Sequence, residues 1–173
     1  AAKYWRDTAK AAGDGAALRG RSIITTTSES GLFGGPAQAN YGSAKGGIIT
    51  LTLILAKELE RYGVRANCVA PRARTPMTES IPMFAKPESG WDKYDPAHIS
   101  PMVGWLASDA AGDVSGQIFI ITGAQIHRMT HHAVQASIFN GEQRWTLDGI
   151  TARRGDLFAG SPSGVPAWGG PAM

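Results

Sequence analysis

The sequence predicts an α/β fold with a parallel sheet, and three observations lead to it. Residues 22–27 (SIITTT) and 64–70 (VRANCVA) are short runs rich in β-branched and apolar side chains, which is typical of strands. Between them, residues 40–61 carry apolar side chains at helical spacing, including Ile48 and Leu51. A strand, a long helix and a second strand form a βαβ unit, whose strands run parallel and whose crossover is right-handed.

The same signals assign the rest of the chain. Residues 1–12 show helical spacing that ends at Gly13–Gly15, and they indicate the tail of a helix that begins upstream. Residues 28–38 hold three glycines and one proline, which predicts a loop. The remaining predicted elements are a short helix near 78–84, a helix over 96–107 and a strand over 116–122.

The organisation predicted from these elements is one α/β domain over residues 1–128 and a carboxyl-terminal extension over residues 129–173. Beyond Gly123 the pattern weakens, and residues 159–173 indicate a loosely docked tail. Because the chain begins with Ala1 and shows no signal-peptide pattern, we interpret it as a piece of something longer.

Composition excludes several classes of protein. The 173 residues include 17 Lys and Arg against 14 Asp and Glu, a net charge of +3 without the dense basic stripes of a nucleic-acid binder. A hydrophobic content of 43% excludes wholesale disorder, and no apolar run is long enough to span a membrane. The single cysteine, Cys68, excludes a disulfide framework and fits a reducing compartment, so we expect a cytoplasmic protein.

Candidate catalytic residues follow the predicted strands. In open parallel sheets, ligands bind beyond the carboxyl ends of the strands, so the loops that begin at Ser28 and Pro71 should meet at one edge. Thirteen residues after Ser28, at the start of the crossover helix, stands the run from Tyr41 to Lys45 (YGSAK). Residues four apart lie on one face of a helix, so Tyr41 and Lys45 should be neighbours.

A phenol beside an ammonium can serve as a general acid or base. The cation and the positive end of the helix dipole favour the charged form of a phenol, which otherwise exchanges its proton poorly near neutral pH. Such a group can pass a proton to or from an alcohol or carbonyl oxygen. Ser28, at the strand end, can donate a hydrogen bond to that oxygen. Ser30 is the competing candidate, but its place inside the loop favours a turn residue.

Three segments resemble the short-chain dehydrogenase/reductase family. Residues 25–48 (TTTSESGLFGGPAQANYGSAKGGI) resemble its active-site segment, in which a Ser precedes a Tyr-x-x-x-Lys motif by about thirteen residues. Residues 66–79 (ANCVAPRARTPMTE) resemble the segment after the next strand, where Asn-x-x-x-Pro-Gly leads to a Thr beside the nicotinamide. Residues 108–124 (SDAAGDVSGQIFIITGA) resemble the family's final strand.

The resemblance implies a Rossmann-like, doubly wound parallel sheet and an NAD(P)-dependent oxidoreductase that acts on a secondary alcohol or ketone. It implies Tyr41 as the general acid/base, Lys45 as the residue that holds the nicotinamide ribose, and Ser28 as the group that polarises the substrate carbonyl. The residues implied to contact NAD or NADP are Tyr41, Lys45, Pro71, Ala73 and Thr75. It also implies a small-molecule substrate and a homodimer or homotetramer formed through helices 1–12 and 40–61.

The sequence departs from the family pattern in two places. Arg72 stands where a Gly usually follows the Pro, and Thr75 comes one residue early, so Arg72 or Arg74 is a candidate contact for an anionic substrate group. The Pro-x-Ala stretch at residues 71–73 is similar to that of peroxisomal-type β-oxidation dehydrogenases, which makes hydroxyacyl thioesters one possible substrate.

The family's phosphate-binding glycine turn is absent from the sequence: no Gly-x-x-x-Gly-x-Gly follows a predicted strand. We therefore expect an incomplete sheet whose amino-terminal dinucleotide-binding half lies upstream. The alternative function is a non-catalytic fragment, or an assembly half that contributes oligomer contacts and needs an upstream segment for activity.

A metal site is the weaker interpretation of the histidines near residue 130. His127 and His131 stand four apart, but no Glu in a His-Glu-x-x-His frame and no Cys pair accompanies them. We expect these side chains to be solvated or packed by the tail, and we expect no metal.

Overall fold

The computed structural model describes residues 1–13 and 20–170, and within these ranges four strands form a single sheet. The strands are β1 (Arg21–Thr26), β2 (Val64–Pro71), β3 (Ile118–Thr122) and β4 (Gln125–Arg128). Their order is β1-β2-β3-β4; β1, β2 and β3 are parallel, and β4 is antiparallel to β3. The predicted parallel core is confirmed, while the expected end of the first helix at Gly13–Gly15 lies partly outside the described residues.

Helices cover both faces of this sheet. In the described ranges, the helices up to residue 129 are α1 (Ala2–Ala12), α2 (Glu29–Phe33), α3 (Ala39–Leu59) and α4 (Ser100–Ala107), and two further helices, α5 (Leu147–Ala152) and α6 (Arg154–Phe158), follow later in the chain. On one face, Ile49 of α3 packs with Cys68 and Ile118. On the other, Met102 and Leu106 of α4 pack with Val69, Phe119 and Ile121, which defines a doubly wound α/β sheet.

The loop predicted over residues 28–38 is wrong in part, because it contains α2. Ser28 has extended backbone geometry and caps this helix, accepting a hydrogen bond from Ser30 N at 3.3 Å. Glu29 adds a favourable carboxylate to the first turn. Of the three glycines that indicated a loop, Gly31 packs closely against α3, as described below, and Gly34, with φ of +73°, ends α2.

Two other helical predictions were too long. Over residues 96–107 the chain first forms a 3₁₀ turn at Pro96–His98, capped by Asp95, and then α4. Near residues 78–84 only Pro82–Phe84 is helical, again as a 3₁₀ turn. Proline at the first helical position suits a helix start, and such short segments lack the hydrogen bonds that sustain a longer helix.

Strand β4 was not predicted from the sequence. Gly123, with φ of +53°, and Ala124 form a two-residue connection, after which Gln125–Arg128 pairs with β3. Because β4 is short and mostly exposed, it lacks the apolar run that reveals a buried strand.

The chain forms two compact units, Ala1–Met129 and Thr130–Met173. In the second unit, Thr146 Oγ1 accepts a 3.0 Å hydrogen bond from Gly149 N and thereby caps α5. Arg153 Nε donates to Asp156 Oδ2 at 2.6 Å. The domain boundary expected after residue 128 stays a prediction. None of the helices in the described parts of the chain has the length and hydropathy of a membrane span.

Candidate active site

Tyr41 and Lys45 are neighbours on the first two turns of α3. Lys45 Nζ lies 5.8 Å from the centroid of the Tyr41 ring. The Tyr41 side chain is 45% exposed, so a ligand at this edge of the sheet can reach it. Lys45 is half-buried, and its stem packs towards the sheet. The one-turn spacing therefore produces the proximity that the sequence predicted.

Two hydrogen bonds hold Lys45 against the carboxyl end of β1. Its Nζ donates to Thr26 O at 3.1 Å, and its own carbonyl accepts from Thr27 Oγ1 at 2.7 Å. Thr27 is buried, so the second contact is shielded from water. Because Ser28 follows immediately, these bonds bring the ammonium to the strand end that carries the serine.

Ser28 and Ser30 have different surroundings. Ser28 is half-buried and accepts the capping hydrogen bond from Ser30 N, which leaves its hydroxyl proton available to an acceptor. Ser30 Oγ donates at 2.5 Å to Oε1 of Gln38, the residue that precedes α3. The Ser30 hydroxyl thus joins α2 to the start of α3, as expected of a structural residue.

Glycines allow α2 and α3 to meet backbone to backbone. A Cβ added at Gly31 would lie 2.6 Å from the Lys45 carbonyl carbon and 2.7 Å from Gly46 N. At Gly42, a Cβ would lie 3.0 Å from Ser30 O. Contacts below about 3 Å are steric clashes, so the close approach requires glycine at Gly31. It fixes the helix that follows Ser28 against the helix that carries Tyr41 and Lys45.

The loop after β2 lies beside the strand end that bears Ser28. Thr27 N donates to Val69 O at 2.8 Å, and β2 ends two residues later at Pro71. Ala73 is half-buried and Thr75 is exposed. The Thr75 hydroxyl lies 3.1 Å from Thr78 Oγ1. The backbone carbonyl of Thr75 accepts hydrogen bonds from the N–H groups of Thr78 and Glu79.

The two arginines of this loop are paired with carboxylates of the chain. Arg72 Nε and Nη2 donate to the two carboxylate oxygens of Glu29 at 2.8 and 2.5 Å. Arg74 donates to Asp92 and, at 3.0 Å, to Phe84 O. Each arginine is thus paired within the chain, and the interpretation of Arg72 or Arg74 as a contact for a substrate anion stays a prediction.

Glu29 is a residue of this region that sequence reasoning missed. Its position directly after Ser28 is visible in the sequence, but it resembles an ordinary first-turn carboxylate. Its partner Arg72 is 43 residues away, and no periodicity connects the two. The one sequence feature that points to this pair is Arg72 itself, because a half-buried loop with an arginine after Pro71 requires a carboxylate nearby.

The described residues contain no group of three or more His, Cys, Asp or Glu side chains that could hold a metal ion. His127 lies on β4, half-buried. Its Nε2 is buried and has no hydrogen-bond partner in the described part of the chain. His127 Nε2 is therefore not solvated, and packing by the tail, the other arrangement expected for this histidine, stays a prediction.

The fold and this arrangement define a class of protein. A doubly wound sheet with three parallel strands carries Ser28 just beyond the end of β1 and Tyr-x-x-x-Lys at the start of the crossover helix α3. A family model described as enoyl-(acyl carrier protein) reductase matches residues 6–123. The chain belongs to the short-chain dehydrogenase/reductase family.

Several known proteins are similar to this chain. Hydroxyacyl-CoA dehydrogenase ChsB1 of Mycobacterium tuberculosis is 44% identical over 92% of this chain and 50% of its own length. The 3-oxoacyl-[acyl-carrier-protein] reductase FabG of Thermotoga maritima is 36% identical over 62% of this chain and 46% of its own length. A crystal structure of a short chain dehydrogenase from Mycobacterium avium superposes with a TM-score of 0.75 at 35% identity, covering 98% of this chain and 54% of the other. The chain thus spans about half the length of these relatives.

Proposed function

We propose that the protein containing this chain is an NAD(P)-dependent oxidoreductase that interconverts a secondary alcohol and a ketone at a site formed by Ser28, Tyr41 and Lys45. One observation carries the proposal. The Lys45 ammonium contacts both the Tyr41 ring and the carbonyl of Thr26, two residues before Ser28. A phenol, an ammonium and a hydroxyl therefore share the edge of the sheet at which ligands of parallel α/β folds bind.

The donors at this edge fit the nicotinamide end of NAD or NADP. An ammonium has three protons, and Lys45 donates one to Thr26 O, so it can also donate to ribose hydroxyls. Tyr41 would contact the same ribose, and the backbone of Pro71, Ala73 and Thr75 would line the ring. The bound cofactor would supply or accept the hydride. The choice between NAD and NADP is open.

Residues of this chain would carry out the proton transfer of the reaction. In the reductive direction, Tyr41 gives its proton to the carbonyl oxygen, and the Lys45 ammonium stabilises the phenolate that remains. Ser28 donates a hydrogen bond to the same oxygen as negative charge develops on it. In the oxidative direction Tyr41 takes the proton from the alcohol.

An acyl thioester with a hydroxyl or oxo group is the substrate class we favour. The two named relatives above act on a hydroxyacyl-CoA and on a 3-oxoacyl-[acyl-carrier-protein]. The segment that follows Thr75 presents large apolar side chains to solvent: Met77, Ile81, Met83 and Trp91. Such a surface suits the hydrocarbon part of an acyl group.

The proposal is tested in the product of the whole reading frame that contains this sequence. The assay measures turnover of a short 3-oxoacyl-CoA by the absorbance of NADH or NADPH. Tyr41→Phe should lower kcat by about 10²- to 10⁴-fold while leaving NAD(P)H affinity, measured by fluorescence titration, within about twofold. Tyr62→Phe, a half-buried tyrosine beyond the far end of α3, is the matched control. Retained turnover in Tyr41→Phe overturns the assignment.

Homo-oligomerisation is part of the same proposal. The side chains of Leu51 and Ile54 on α3 are exposed, as is Tyr4 on α1, and a second copy would cover them. The rival function, an assembly half without a complete site, predicts oligomer formation by this chain but NAD(P)H binding only by the longer product. Light scattering tests oligomer formation by both proteins, and NAD(P)H binding by this chain alone, measured by fluorescence titration, would overturn the rival.

A further inference from the structure

The carboxyl ends of β1 and β2 are joined by a buried ion pair. Arg72 is the first residue after β2, and its backbone N donates to Ile121 O at 2.8 Å, which fixes it to β3. Its guanidinium binds both carboxylate oxygens of Glu29. The side chains are only 5% and 15% exposed. A two-pronged pair of this kind restrains distance and orientation together.

Glu29 lies directly beside Ser28. It is the first residue of α2, and Ser28 is the cap of that helix, so any movement of Glu29 shifts the Ser28 backbone as well. With five residues, α2 is too short to hold its own position and depends on its contacts. The glycine contact with α3 restrains its centre, at Gly31, and the ion pair restrains its first residue.

We propose that Glu29 and Arg72 are positioning residues that hold the Ser28 hydroxyl at a fixed place relative to the loop from Pro71 to Ala73. This inference rests on the proposed function, since it assigns the pair a role in presenting Ser28 to the substrate oxygen. Neither residue contacts the reacting atoms. The pair acts through Ser28, so its effect must disappear when the Ser28 hydroxyl is removed.

A double-mutant cycle in the product of the whole reading frame tests this dependence. Glu29→Gln should lower kcat by about 10- to 100-fold, as displacement of a reacting group by about 1 Å does, with little change in the KM for NAD(P)H. In a Ser28→Ala background the same substitution should cost less than about twofold. A loss of equal size in both backgrounds, or an unchanged kcat in Glu29→Gln, overturns the proposal.

Stability must be separated from positioning, because removing one member of a buried ion pair leaves the other charge uncompensated. Glu29→Leu combined with Arg72→Met removes both charges, and such replacements commonly preserve stability. We expect this double variant to unfold at a denaturant concentration near that of the wild type and still to show the reduced kcat. A stable double variant with wild-type kcat overturns the proposal.

Two controls complete the experiment. Asp156→Asn breaks the exposed pair with Arg153 in the second unit and should leave kcat unchanged. Tyr41→Phe, assayed in parallel, distinguishes failure of the proposed function from failure of the positioning role. If Tyr41→Phe retains turnover, the proposed function and this inference both fail. If Tyr41→Phe is inactive while Glu29→Gln is fully active, only the positioning role fails.

Discussion

Lys45 Nζ donates a hydrogen bond of 3.1 Å to the carbonyl of Thr26 while lying 5.8 Å from the centroid of the Tyr41 ring. One side chain thus connects the helix that carries the phenol with the strand that leads to Ser28. The ammonium is positioned by the sheet as well as by its own helix. Loss of Lys45 is therefore expected to affect both cofactor binding and proton transfer.

Lys45→Met keeps most of the length of the side chain but removes its charge and its three donors. In the product of the whole reading frame, we expect kcat to fall by about 10²-fold or more and the Kd for NAD(P)H to rise by about tenfold. Steady-state kinetics and fluorescence titration measure these two effects. Lys57→Met, an exposed lysine in the last turn of α3, is the control. An unchanged NAD(P)H affinity in Lys45→Met would remove Lys45 from the cofactor site.

Gly31→Ala should destabilise the fold, because the new methyl group would lie 2.6 Å from the Lys45 carbonyl carbon. Forcing an extra carbon into packed backbone costs about 1–3 kcal/mol. Gly47→Ala is a matched control, since a Cβ at this helical position meets no atom within 4 Å. There we expect a gain of about 0.5–1 kcal/mol from helix propensity. Urea unfolding of both variants measures the difference, and equal stabilities would show that α2 and α3 do not touch at Gly31.

Part of the site could be predicted because local rules determine it. The i, i+4 spacing places Lys45 beside Tyr41 in any α-helix. The strand run 22–27 and the helix start near residue 40 then bring Ser28 to the same edge of the sheet. These expectations follow from local spacing alone and do not require the energies of long-range contacts to be compared.

The rest depends on contacts between distant residues. Gly31, Gly34 and Gly35 indicated a loop, yet close packing against α3 favours a helix at residues 29–33 that propensity alone would not. The pairing of Arg72 with Glu29 joins loops that no periodic pattern relates. Strand β4 exists because the edge of β3 offers hydrogen bonds, a feature that the sequence of β4 does not encode by itself.

The segment between Ala73 and Pro96 should become less stable in acid. The Arg74 guanidinium beside Asp92 holds the pKa of that carboxyl below its ordinary value of 3.8. Because the pKa is lowered in the folded chain, the pair's contribution to stability is fully present above pH 3.8 and is lost as the pH falls through the lower folded value. Asp92→Asn should therefore reduce stability near neutral pH and flatten its pH dependence below about pH 4. Urea unfolding between pH 2.5 and 7, with the exposed Asp113→Asn as control, checks this. A wild-type pH profile in Asp92→Asn would contradict it.

Cys68 should be unreactive in the native chain. Its side chain is fully buried on β2, where it packs with Ile49 and Ile118, and burial raises the pKa of the thiol above its ordinary value. Both effects suppress the thiolate, which is the species that attacks thiol reagents. We expect labelling by a disulfide reagent at pH 8 to proceed at the rate of unfolding and to accelerate in urea. Cys68→Ala combined with Thr50→Cys moves the thiol to an exposed position of α3 and should react at once. Equally fast labelling of the wild type would show that the face of the sheet beneath α3 opens to solvent.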